Sequence, residues 1–168
     1  MKLNIGCGKN HLKDFINVDK FINNKPDVLC DLEFGLPFKD NSIDEIFGIH
    51  IMEHISNLII LMRDIYRVCK NGAKCFFVTP YVTSYDAWES PFHVRTFNEN
   101  TWHYFNPKLY EQPGHAGYAD HGVDFNFQVI ECFLIPYPGF LNDPELEFKK
   151  QHWNNIIREV QVRLEVVK

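Results

Sequence analysis

Short apolar runs that do not alternate with polar residues constrain this chain more than any other feature. Leu3 to Gly6, Phe15 to Asp19, Asp27 to Leu32, Glu45 to His50 and Lys74 to Thr79 all have β-type composition, and several are apolar at consecutive positions. A strand with one wet face alternates, whereas a strand covered on both faces does not, so the pattern predicts a parallel sheet with layers on each side. Parallel neighbours need crossovers, and the clearest is "SNLIILMRDIYRVCKNG". There Leu58, Leu61, Met62, Ile65, Val68 and Cys69 recur at helical spacing, Ser56 or Asn57 can cap the start, and Gly72 can end the helix. Towards the C-terminus, "FNFQVIECFLIPY" supplies another strand. In "NDPELEF", Asp143 is placed to cap a helix that Pro144 opens. "EVQVRLEVV" then alternates Val160, Val162, Leu164 and Val166 with polar residues, as a last strand with one solvated face does.

These elements predict an α/β fold, a doubly wound sheet of about seven strands, mainly parallel with an antiparallel terminal strand. The chain of 168 residues is 45% apolar, enough for one domain, 1–168, with a real core. A net charge of −5 argues against a broad basic surface and so against duplex nucleic acid as a partner. Five cysteines without a C-x-x-C pair read as reduced thiols in the cytoplasm. No apolar run approaches the ~20 residues that span a bilayer, so no membrane association is expected.

The first two runs are joined by "GCGKNHLKD". A glycine turn at the end of a first parallel strand lets backbone approach a ligand that a Cβ would exclude, and an acid ending the next strand can accept hydrogen bonds from ribose hydroxyls. Gly6, Gly8 and Asp19 fit that geometry, which makes the fold Rossmann-like. A dinucleotide fingerprint would need a third glycine where His11 stands, followed by a helix N-terminus for a pyrophosphate. Cys7 to Asp14 leave too little chain for a helical crossover, so the first helix should be missing or a single turn. The expected ligand is a nucleoside without phosphates, in a pocket open on one side.

The order of glycine turn, Asp19, Asp31-Leu32, "LPF", "DEIFGIHIMEHI", the helix "LMRDIYRVCKNG" and the strand "AKCFFVTP" resembles the class I S-adenosylmethionine-dependent methyltransferases, of the small methyltransferase-domain type. The resemblance covers Lys2 to about Pro80. It implies that S-adenosylmethionine is the cofactor, with Gly6, Cys7 and Gly8 under its methionine part, Asp19 on the ribose, Asp31 and the backbone of Leu32 on the adenine edge, and His50 beside the methyl-transfer pocket. Two departures stand out. Asn4 replaces the usual acid before the first glycine, and Asn10 replaces the usual third glycine.

Beyond Pro80 the aromatic-rich segment 80–124 reads as an insertion forming the acceptor site, with one short helical turn at "NENTWHYF". His93 is the first candidate base and His50 the second. Arg95 is the candidate substrate anchor, and Trp88 and Tyr85 are candidate pocket walls. His115, Asp120, His121 and Asp124 make a second polar cluster in a loop. "HIMEH" matches H-x-x-E-H, a zinc-peptidase pattern only on a helix. Some RNA and quinone-precursor methyltransferases carry acid-and-histidine metal sites at this point, but here His50 stands in place of an acid. The expectation is therefore no metal, with Glu53 and His54 capping the helix that follows. The activity expected is methyl transfer to a small-molecule acceptor, an oxygen of a sugar-like or other metabolite first. Alternatives are an RNA or protein methyltransferase whose partner subunit, or a second copy in a homo-oligomer, covers the open pocket, and a non-catalytic scaffold that keeps the fold.

Overall fold

The computed structural model describes residues 1–112, 114 and 122–168. Its strands are β1 (Lys2–Ile5), β2 (Ile16–Asp19), β3 (Val28–Leu29), β4 (Ile43–Ile49), β5 (Cys69–Pro80), β6 (Phe127–Pro136) and β7 (Ile157–Val166). Its α-helices are α1 (Leu58–Val68) and α2 (Leu146–His152). The strands form one seven-stranded sheet in the order β3-β2-β1-β4-β5-β7-β6. The pairs β1·β2, β1·β4, β2·β3 and β4·β5 are parallel, while β7 runs antiparallel to both β5 and β6. The order reverses beside β1, so the carboxyl ends of β1, β2 and β4 border the crevice where such sheets bind ligands.

Helix α1 follows the periodicity of its sequence: Leu58, Leu61, Met62, Ile65 and Val68 are buried, and the Asn57 side chain accepts from Ile60 N. Gly72 does not end it. The helix stops at Val68 and the chain enters β5 directly, with Gly72 (φ +79°) inside the irregular stretch between the Ile43–Cys69 and Glu45–Lys74 pairs. Asp143 likewise acts earlier than expected, since its carboxylate accepts from Glu145 N and α2 begins at Leu146. Strand β3 is shorter than the apolar run suggested because Asp27 turns its carboxylate to Asn17, and Asp31 already caps a 3-10 turn over Leu32–Phe34.

Coverage of the sheet departs from the expectation of two packed faces. One face, with Leu3, Ile5, Ile46, Cys75 and Phe77, joins the buried face of α1 in the core. Trp102 extends that core, stacked on Phe77 and Phe97 with ring centroids 5.4 and 5.0 Å apart. On the other face, the row Asn4–Phe47–Phe76–Arg163 lies across β1, β4, β5 and β7, and Phe47 and Phe76 stay half-exposed. Next to it, Lys2 pairs with Glu45 and Lys74 with Glu165, each at 2.6 Å. These exposed pairs keep that face soluble and add little stability.

No helix joins β1 to β2, as the short connection dictates. A polar network holds the connecting loop instead. Asn4 Nδ2 donates to Asn10 O and to Asn17 Oδ1, both at 2.9 Å, and Leu12 N donates to Asn17 Oδ1 at 2.9 Å. Asn17 Nδ2 in turn donates to Asp27 Oδ2 at 2.9 Å. Asn4 and Asn17 are both buried, so this network meets the hydrogen-bonding demand of amides removed from water.

Candidate active site

The turn after β1 puts Gly6 (φ +62°) and Gly8 (φ +51°) in the left-handed region. A Cβ on Gly6 would lie 2.5 Å from Ile51 Cγ1, so glycine is required there for both conformation and space. Asp19, at the end of β2, accepts from Gly8 N through Oδ2 and from Phe21 N through Oδ1, both at 2.8 Å. Each carboxylate oxygen has a further lone pair, so Asp19 keeps acceptor capacity for a ligand. Asp31 Oδ1 accepts from Glu33 N.

A cavity of about 720 Å³ opens at these strand ends, within the size range of small-molecule sites. Gly6, Asp19, Asp31 and Leu32 line one part of it, and Ile51, His54, Phe92 and Val94 another. Four of the expected cofactor residues thus converge. Cys7, Gly8 and His50 do not line the cavity: Cys7 is buried with its amide on Val18 O, and the Gly8 amide is held by Asp19.

His50 (φ +52°) has each ring nitrogen 3.4 Å from a carboxylate, Nε2 from Glu159 and Nδ1 from Glu53. The Glu159 contact, then that to Glu53, outweighs burial and pushes its pKa up to about 9. Both ring nitrogens of His50 thus face carboxylates, which favours its charged form and disfavours a role as base.

The segment after β5 is laid along the chain that leaves β4. Val94 N donates to Glu53 O, His54 Nδ1 contacts Phe92 O at 3.1 Å, and the Arg95 guanidinium donates to Ile55 O and Ser56 O. Arg95 thus ties two segments together, and its partial burial lowers its pKa. Tyr85 and Trp88 are 64% and 70% exposed and lie outside the cavity lining, with Trp88 Nε1 bonded to Val82 O. The aromatic walls are Phe21 and Phe92 instead. Of the second polar cluster, His115, Asp120 and His121 lie outside the described residues, while Asp124 pairs with Arg63 at 2.9 Å.

Glu53 and His54 sit on a 3-10 turn, Met52–His54, not on a helix, so the peptidase pattern lacks its context. Nor do they cap α1. The amides of Ser56 and Asn57 donate to Glu33, at 2.6 and 3.3 Å. Burial pushes the Glu33 carboxyl up, and these amides outweigh it, leaving it below the usual glutamate range. Glu53 is 2% exposed, and neither of its oxygens has a hydrogen-bond donor among the described residues. His93 lies beside it, its ring centroid 4.7 Å from that of His54 and its Nδ1 3.2 Å from Ala87 O. His93 is not itself part of the cavity lining.

Residues 12–77 match the family model described as a methyltransferase domain. An uncharacterised protein of Methanocaldococcus jannaschii is 33% identical over 88 residues, which is 45% of this chain and 39% of that protein. The chain thus spans well under half of that relative. Among solved structures, the YcgJ protein of Bacillus subtilis superposes with a TM-score of 0.60 at 16% identity, over 99% of this chain and 92% of its own. A Haloferax volcanii protein described as a methyltransferase, solved in complex with the Trm112 methyltransferase activator, gives 0.60 at 14% identity over 99% and 82%. The methyltransferase-domain match begins at Leu12, just after the glycine turn, and runs into β5; over that span, under half of the chain, the sequence is similar to methyltransferase domains, and the whole chain shares the fold of solved S-adenosylmethionine-dependent methyltransferases.

Proposed function

We propose that the chain transfers a methyl group from S-adenosylmethionine to a small-molecule acceptor, an oxygen of a sugar-like or other metabolite first. The observation that carries this reading is one cavity shared by two kinds of wall. Asp19, Asp31 and Gly6 bound the part suited to a nucleoside, and the 53–56 and 91–94 segments bound the rest. The bound cofactor supplies a methyl group on a cationic sulfonium. The Asp19 carboxylate accepts from the ribose hydroxyls with the lone pairs that the Gly8 and Phe21 amides leave open, and Asp31 with the backbone of Leu32 meets the adenine edge. Leu32, Ile51 and Phe92 give apolar surface to the bound molecules and exclude water.

Segment 80–124 supplies the acceptor side. A carbonyl oxygen only accepts, so in the neutral form of each ring the contacts to Phe92 O and Ala87 O favour the proton of His54 and His93 on Nδ1, with the lone pair on Nε2. Through these lone pairs the pair takes the proton a hydroxyl acceptor gives up, with His54 at the cavity wall. Five unpaired cysteines fit a reducing compartment such as the cytoplasm. Among the described residues no helix is long and apolar enough to cross a membrane.

The test is calorimetric titration with S-adenosylmethionine and S-adenosylhomocysteine, alongside Asp19→Ala. Saturable binding lost in the variant, followed by methyl transfer in an acceptor screen, is the expected result. A folded chain that binds neither compound overturns the reading.

A second reading, a partner subunit that covers the pocket, rests on exposed rings at its rim: Phe21 is 61% and Phe92 73% exposed, with Phe34 at 90% nearby. The activator complex of the Haloferax neighbour is in keeping with it. Full activity of the isolated chain on a small metabolite would count against it.

A further inference from the structure

We propose that Glu53, His54 and His93 form a site for one divalent transition-metal ion at the acceptor side of the cavity. One candidate donor atom from each residue lies within 4.8 Å of the other two, the only such group among the described residues. Two independent features prepare these donors. The Glu53 carboxylate is buried without a hydrogen-bond donor among the described residues, and the cation beside it, His50, stands 3.4 Å from Oε1 and is shared with Glu159. A buried carboxylate that only shares a cation, with Oε2 unpartnered, has room for a second one. Both histidines turn Nδ1 to a backbone carbonyl, of Phe92 and of Ala87, which can only accept, so Nε2 is the ring atom of each left to coordinate. Backbone carbonyls behind the ligating imidazoles are the usual means of fixing tautomer and ring direction at metal sites.

Two imidazoles and one carboxylate suit borderline ions such as Zn²⁺, Co²⁺ or Mn²⁺ rather than Ca²⁺ or Mg²⁺. Three protein donors leave coordination positions for water or an acceptor oxygen. His54 is the ligand that also lines the cavity, so those positions lie on its side. The metal-binding step stands by itself, whereas its use rests on the methyltransferase reading. An acceptor hydroxyl bound to the ion becomes more acidic and gives its proton to water in the cavity, with the histidines then acting as ligands rather than as bases. The acceptors singled out are those with an oxygen, or two adjacent oxygens, able to coordinate.

The full chain, stripped with chelator and dialysed, is titrated with Zn²⁺ by calorimetry and with Co²⁺ by visible absorption. One equivalent should bind with d–d bands, and Glu53→Gln and His93→Asn should each weaken binding about ten-fold or more, while His103→Asn, on the exposed surface, leaves it unchanged. Circular dichroism and S-adenosylhomocysteine titration of every variant establish that it is folded. Absence of saturable binding at one equivalent, or equal affinity in the folded variants, overturns the site. A chain that binds the metal but not S-adenosylhomocysteine leaves the site standing and overturns the cofactor reading; the converse overturns the site alone.

Discussion

Replacing Asn17 with alanine removes the side chain that ties the loop after β1 to both strands it connects. Three hydrogen bonds of 2.9 Å disappear, from Asn4 Nδ2, from Leu12 N and to Asp27 Oδ2. A neutral bond contributes about 1 kcal/mol net, and one to a carboxylate about 2 kcal/mol. Two losses are cushioned, because Asn4 keeps Asn10 O and Asp27 keeps the Asn17 backbone amide. The expected cost is about 3 kcal/mol, or about 6–12 °C in Tm for a chain of this size. Urea unfolding should show a lower midpoint with an unchanged slope. The Gly8 amide that bonds Asp19 belongs to the same loop, so S-adenosylhomocysteine should also bind more weakly. Asn4→Ala removes fewer bonds and should cost less, and the double variant should cost less than the sum of the two. A loss below about 1 kcal/mol for Asn17→Ala, or strict additivity with Asn4→Ala, would refute the claim that one network replaces the missing helix.

Gly6→Ala should destabilise by about 2–4 kcal/mol, from the left-handed backbone and the overlap with Ile51. Thermal unfolding in an Ile51→Ala background should recover the steric part only. For Glu33, a carboxyl held low by the Ser56 and Asn57 amides stabilises the fold when ionised; the stability gap to Glu33→Gln should be present above pH 4.5 and close as pH falls through the lowered folded value. Denaturation series across that range check the sign. His93→Ala should lower turnover strongly while S-adenosylhomocysteine binds nearly as before, and unchanged turnover would remove His93 from the chemistry.

Much of the scaffold is legible in the sequence because its causes are local. The α1 stripe and its Asn57 cap, the alternation of β7 and the connection too short for a helix follow from periodicity and chain length alone. The positions of Asp19 and Asp31 at strand ends are equally local, and both reach the cavity. Other roles depend on partners that arrive from distant segments. Glu53 was expected to cap α1, but Asn57 caps it, and Glu33, distant in sequence, holds the amides just ahead of it. Arg95 read as a substrate anchor and His50 as a second base, and their polar atoms face backbone carbonyls and carboxylates brought by other elements. Asn4 stands out in the sequence only as a departure from the usual acid, and its bonds to Asn10 O and Asn17 Oδ1 make it a structural amide.

By itself, the sequence determined the strand succession, the bare first crossover and the acids that mark a nucleoside site, since backbone periodicity and turn chemistry act over a few residues. Only the tertiary structure decided that one sheet face stays half-exposed, that Phe92 rather than Trp88 walls the cavity, and that His93 meets Glu53 and His54. Those outcomes depend on the Val94–Glu53 and Arg95–Ile55 bonds, which join segments far apart in the chain and leave no periodic trace in either.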